Sequence, residues 1–236
     1  MAFATGESAL PAVSTTRNFK YNAVYESEVR PMKRPNHLEQ IEKRINTAQP
    51  GAVFIPSDFF DIAEAVKVNM CMSRLVENGE LYRLMRGLYA KPRYSKLLNT
   101  NVPPRSDDIA RAIARNFGWT VIPCGDAALN MLGLSTQVPT VWTYVSDGPY
   151  KIYEVDGITL KFMHTDNKNE IILVSYQTAL VIQALKALGK ENITDSDILG
   201  LSERFSQSEK QNMLAEGQRI TNWVYGCIKE LCLEEQ

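Results

Sequence analysis

The chain has 236 residues, 44% hydrophobic and 22% charged, enough for one large or two small domains with apolar cores. No apolar run approaches the ~20 residues a membrane helix needs, and the N-terminus lacks the basic-then-apolar order of a signal peptide, so a cytoplasmic location is expected. The formal charge of −1 conceals a split: 33–96 carries 11 basic and 7 acidic residues, 97–236 carries 12 and 17, as suits an anion-binding module joined to an acidic one.

Residues 1–32 are polar and aperiodic and read as a flexible tail, with Met32 as a candidate start. Leu38, Ile41, Ile45 and Ala48 share one face of a helix from about Asn36 to Ala48, with Asn36 and Glu39 spaced as a capping box. Ala52–Ile55 reads as a short strand, and Ser57 as the cap of a brief helix through Phe59, Phe60 and Ile62. The stretch from Glu64 to Arg93 organises what surrounds it. Ala65, Val68, Met72, Leu75 and Val76 predict a helix stopped by Asn78-Gly79. A hairpin follows, with arms Glu80–Leu84 and Leu88–Lys91, a turn at Arg86-Gly87, and Pro92 at its close.

Helix, strand, helix, helix, ribbon is the order of a winged helix-turn-helix, in which helix and ribbon straddle a phosphate backbone. Between Leu81 and Lys96 there are five basic residues and no acidic one. The expected DNA contacts are Lys67 and Arg74 opposite the helix's core stripe, Asn69 and Ser73 on its flank, and Arg83, Arg86, Lys91 and Arg93 on or beside the ribbon. Met70 and Cys71 fall on the same outward face, where they either touch thymine methyls or are covered by the following domain.

Asn99–Arg105, polar and proline-bearing, marks a domain boundary. Ser106 then caps an amphipathic helix ending at Gly118, with Asp107 and Asp108 in its first turn. Adjacent acids also admit a metal reading, but no further carboxylates sit at ligand spacing. Trp119–Ile122 reads as a strand and Asp126–Leu132 as a short helix closed by Gly133. VWTYVS, YKIYEV and ITLKFM are expected to form a three-strand meander with hairpins at Asp147-Gly148 and Asp156-Gly157. Ser175 opens an apolar helix stopped by Gly189, Thr194 and Asp197 form another cap, and Ile220, Val224, Cys227, Ile228 and Leu231 trace a last stripe. This helical end either covers the meander or meets a partner. The expected class is α+β, with a winged helix at 33–96, a mixed α+β domain at 97–167 and a helical region at 168–236.

Cys71, Cys124, Cys227 and Cys232 sit singly and read as reduced thiols. There is no Gly-rich phosphate loop, and His164 lies at a strand end without a triad pattern. No catalytic residue, metal or cofactor is expected, and the chain reads as a non-enzyme; the alternative is an enzyme built on Asp107, Asp108 or His164.

The segment PRSDDIARAIARNFGWTVIPCGDAALNMLGLSTQVPTVWTYVSDGPYKI, following GELYRLMRGLYAKP, resembles the AbiEi-type antitoxins of type IV toxin–antitoxin (abortive infection) systems over about Lys33 to Thr165. The resemblance implies a winged helix that represses its own promoter, with Lys67, Arg74, Arg83, Arg86 and Arg93 as DNA contacts. It also implies that the 106–165 region counteracts a nucleotidyltransferase-like toxin, with or without direct contact, and it leaves room for a homodimer on double-stranded DNA. The rival expectation is a protein-interaction module whose winged helix no longer binds DNA.

Overall fold

The computed structural model describes residues 36–233; the tail expected at 1–32 and the candidate start at Met32 lie outside them. Helix α1 (His37–Thr47) buries Ile41 and Ile45. After β1 (Val53–Phe54) comes a single 3-10 turn, Pro56–Phe59, in place of the helix expected from Ser57. Pro56 starts the turn, and the Asp58 carboxylate, not the Ser57 hydroxyl, accepts the Ile55 amide at 3.0 Å. Helix α2 (Ala65–Glu77) and the strands β2 (Tyr82–Met85) and β3 (Leu88–Ala90) complete the helix–ribbon segment.

β1, β3 and β2 form an antiparallel sheet in that order. Because side chains alternate along a strand, it is buried on both faces. Phe54 and Tyr89 pack with Ile41, Ile45, Val68 and Leu75 of α1 and α2. Val53, Leu88 and Ala90 turn the other way, onto α3 (Ser106–Phe117). The boundary expected at Asn99–Arg105 instead holds half of a small ribbon, β4 (Tyr94–Ser95) with β5 (Thr100–Asn101). Gly118 ends α3 with φ +71°, the left-handed C-cap for which glycine is the least costly residue.

The central sheet contains β6 (Val121–Pro123), β7 (Val141–Ser146), β8 (Lys151–Val155) and β9 (Ile158–His164); a short helix α4 (Asp126–Met131) separates the first two. The order is β6-β7-β9-β8, with β7 and β9 parallel from Val141↔Thr159 to Ser146↔His164. This corrects the expected meander. The Asp156-Gly157 hairpin forms, both residues having positive φ, 50° and 76°, as a two-residue turn of the primed type requires. Asp147-Gly148 makes no hairpin. The Asp147 carboxylate accepts the Thr120 amide at 2.7 Å, the Gly148 amide donates to Ser146 Oγ at 3.0 Å, and Gly148 lies flat against the Trp119 indole. Those contacts lead the chain away from the edge of β7, which β9 then occupies.

Helix α5 (Tyr176–Leu188) is capped by Ser175, and α6 (Asp195–Ser202) opens with the Thr194/Asp197 capping box, both as the sequence predicts. With α7 (Gln207–Glu216) and α8 (Asn222–Cys232) they enclose a second core around Val181, Leu185, Leu201, Met213, Val224 and Ile228. Of the last predicted stripe, Val224, Ile228 and Leu231 are buried, whereas Ile220 precedes the helix. Ala179 of α5 packs on Ile122, Cys124 and Val145, while Tyr144, Leu160 and Phe162 on the opposite sheet face pack on α3. The fold is therefore mixed α+β, with eight α-helices among the described residues, and from His37 onward these form one compact unit. The three segments expected after the tail share cores inside it. Among the described residues no helix is long and apolar enough to cross a membrane.

Candidate nucleic-acid interface

Helix α2 buries Val68, Cys71, Met72 and Leu75, a stripe at i, i+3, i+4 and i+7. Cys71, expected on the outward face, is thus a core residue: three steps of 100° return it to within 60° of Val68. Ala65 is exposed and Val76 half-buried, so the stripe is centred nearer Cys71 than expected. The opposite face is open. Val66 is 71% and Met70 55% exposed, and with Asn69, Ser73, Arg74 and Glu77 they line a shallow groove of about 540 Å³. Lys67 lies alongside, 3.8 Å from Glu64 in a solvent-exposed pair, and the Ser73 hydroxyl donates to the Asn69 carbonyl at 3.0 Å. Met70 is therefore not covered by the 97–167 segment.

On the ribbon, Arg86 is exposed at the turn, next to Gly87 at φ +77°. Arg83, also exposed, is paired with Tyr89 in the sheet register, and its guanidinium donates to the Tyr89 hydroxyl at 3.3 Å. That contact fixes one nitrogen and leaves the others to solvent. Lys91 has a different task. Its ammonium donates to the carbonyls of Ile45, Asn46 and Ala48 at 3.1, 3.0 and 2.9 Å, closing the C-terminal end of α1. Arg93 packs beside Gly51 and donates to the Pro103 carbonyl at 3.2 Å. Of the eight expected DNA contacts, four thus gather along the outward side of α2 and two lie on the ribbon, while the Lys91 ammonium is taken up by the end of α1 and Arg93 stands beside Gly51 and Pro103, away from both.

Arg93 lines a cleft of about 390 Å³ together with Arg105, Asp108, Arg111 and Arg115 of the α3 region and the 49–53 loop. Sequence reading passed over these arginines, although Arg111 and Arg115 at i, i+4 already shared one helix side. Arg111 bonds Asp107 at 2.7 Å and stacks 3.8 Å above the Tyr176 ring, whose hydroxyl is 3.3 Å from the same carboxylate. Burial pushes the Asp107 carboxyl above its usual range against the opposing pull of Arg111 and Tyr176, and burial together with the Asp107 charge pushes the Tyr176 hydroxyl up to about 12. Arg115 donates to the Val53 carbonyl at 3.3 Å and to Asp58 at 3.2 Å.

Asp107 is thus an ion-pair partner, and among the described residues no group of three or more His, Cys, Asp or Glu is placed to hold a metal. His164 bonds the Gly148 carbonyl at 2.8 Å and Asp166 at 3.1 Å, contacts that raise its pKa. No hydrogen bond or ion pair joins it to Asp107 or Asp108 among the described residues. All four cysteines are free, and burial pushes the Cys124 thiol up to about 11.

A family of unknown function, DUF6088, has a sequence model that matches residues 40–213. The chain belongs to this family. The DUF6088 match runs from α1 into α7, so it takes in the helix–ribbon segment, the arginine cleft, the central sheet and α5. Among solved structures, this DUF6088 chain is similar to the RV2827C protein from Mycobacterium tuberculosis, at 14% identity and a TM-score of 0.35 over 84% of this chain and 76% of that one. No curated protein matches it.

Proposed function

We propose that this DUF6088 chain is a winged-helix DNA-binding protein that represses its own promoter and serves as the antitoxin to a nucleotidyltransferase-like toxin, acting by binding and not by catalysis. The observation that carries the DNA half is the open face of α2, where Lys67, Asn69, Ser73 and Arg74 stand clear of the core beside a ribbon bearing the exposed Arg83 and Arg86. A helix needs such an uncovered polar face to enter the major groove, where an asparagine can pair with adenine and an arginine with guanine. Arg83 and Arg86 supply phosphate contacts that set register without reading sequence. The antitoxin half rests on the resemblance of the 33–165 region to AbiEi-type proteins, which assigns the 106–165 segment to toxin neutralisation.

A second reading has its own observation. Val66 and Met70 at 71% and 55% exposure are large apolar side chains on the face meant for DNA, as a protein-docking groove would have them. Fluorescence anisotropy on the duplex upstream of the protein's own reading frame, against a scrambled duplex at several salt concentrations, separates the two. DNA reading predicts sequence-selective binding, with a salt slope that falls by about one unit for each phosphate-binding arginine removed, in Arg83→Ala and in Arg86→Ala. Binding equal to the scrambled control, or a slope untouched by both variants, refutes it and leaves the docking groove.

A further inference from the structure

The arginine cleft lies apart from the α2 groove and shares no residue with it. Four guanidiniums line it, those of Arg93, Arg105, Arg111 and Arg115, against the single lining carboxylate of Asp108. Asp58 and Asp107 each pair with one of these arginines from outside the lining, and Arg93 and Arg105 have no carboxylate partner among the described residues. Three of the four are held in place by the protein: Arg93 by the Pro103 carbonyl, Arg111 by Asp107 and the Tyr176 ring, Arg115 by Asp58 and the Val53 carbonyl. A guanidinium carries five N–H donors in a planar fork, so each retains donors after these contacts. Preorganised arginines converging on a concave site are suited to a phosphorylated ligand, since little side-chain freedom is lost on binding.

A second cleft, about 450 Å³, adjoins the first and has Arg111 and Arg115 in common with it. Apart from Thr120 the rest of its lining is apolar or aromatic, with Trp119, Ile122, Ile171, Ile172 and Tyr176. Each cleft lies within the roughly 300–1,000 Å³ typical of small-molecule sites. A ligand that fills both must be anionic at one end and largely apolar at the other. We propose that the two clefts form one site for a nucleoside di- or triphosphate, its phosphates held by Arg93, Arg105 and Arg115 and its base lying past Arg111 against Ile172 and Trp119. Asp108 is the acceptor available to a ribose hydroxyl. The site uses none of the α2 and ribbon residues on which the DNA reading rests; of the expected DNA contacts it takes only Arg93.

Isothermal titration calorimetry of the full chain tests this with ATP, GTP, adenosine, guanosine and tripolyphosphate. Two variants accompany it: Arg105→Ala, at an exposed and unpaired side chain, and Ile172→Glu, at a side chain 40% exposed, with circular dichroism melts as folding controls. ATP or GTP is expected to bind one per chain, to lose at least about tenfold in affinity in each variant, and to outbind its nucleoside and tripolyphosphate alike. Absence of heat with both nucleotides at millimolar concentration overturns the proposal. So does tripolyphosphate binding as tightly as the nucleotides, which makes the cleft a general anion trap. Loss of DNA affinity in Arg105→Ala without any nucleotide binding also overturns it, and gives the cleft to the DNA backbone.

Discussion

Replacing Lys91 by methionine separates a cation that meets DNA from one that holds the fold. The side chain keeps its length and apolar body but loses the ammonium, which donates to three carbonyls at 2.9–3.1 Å. A hydrogen bond to a charged group contributes about 1.5–3 kcal/mol, and a cation at a helix C-terminus about 0.3–1 kcal/mol. The three bonds share one ammonium, the Asn46 bond is exposed, and that carbonyl can turn to water. The return of lysine rotamer freedom offsets part of the loss, so the net cost is about 2 kcal/mol. For a folded unit of about two hundred residues, that lowers the melting temperature by about 4–8 °C. Urea unfolding and calorimetry measure the loss, and anisotropy at several salt concentrations measures the DNA side. The expected pair of results is a destabilised protein with an unchanged salt slope. A melting temperature within about 1 °C of the parent, with a slope reduced by about one unit, would refute the capping argument and return Lys91 to the phosphate backbone.

Two further predictions test packing and ionisation. A Cβ at residue 148 would lie 2.4–2.7 Å from three Trp119 ring atoms, so Gly148→Ala is expected to cost about 1–3 kcal/mol, most of it recovered in a Trp119→Ala background; equal costs in both backgrounds would show that the ring is not what requires glycine. Glu216 accepts from the Ser175 amide and hydroxyl and the Thr178 hydroxyl; burial raises its pKa, but these bonds outweigh burial and hold it below the usual carboxylate range. A lowered folded-state pKa stabilises above the unfolded value of about 4.5 and is lost as pH falls through the folded value, so the melting gap between the parent and Glu216→Gln should be full at neutral pH and close as the pH is taken down past 4.5. A gap independent of pH would contradict this.

Elements whose signals are local were legible. The Asp156-Gly157 turn, the Ser175 cap and the Thr194/Asp197 box each depend on a few adjacent residues, and each forms as read. The stripe of α2 was legible in period but misplaced in phase: Cys71 is small and weakly polar, and a two-residue apolar pair, Met70-Cys71, does not reveal which member faces inward. What failed was pairing across distance. Asp147-Gly148 carries a hairpin signature, yet its aspartate is drawn to the Thr120 amide and its glycine to Trp119, partners 27 and 29 positions back that no local pattern announces. The same limit hid the arginine cleft, whose members come from two sides of a fold that only the shared core brings together.

The two-faced burial of the β1-β3-β2 sheet bears directly on how the ribbon can work. Leu88 and Ala90 on one face and Tyr89 on the other are all within 3% of complete burial, so neither broad face of the ribbon is free to lie on a duplex. Only its turn and its β2 edge remain, which is where Arg86 and Arg83 stand. A ribbon clamped in this way does not flex toward a groove; it holds its two arginines at a fixed offset from α2. If the chain reads DNA, moving Arg86 by one position along the turn should then cost as much as deleting it, because a rigid support cannot restore the register. With Gly87→Ala as the control for the strain that any side chain brings at φ +77°, binding by a double variant, Arg86→Gly with Gly87→Arg, that equals the control's would mean that the ribbon contributes charge alone.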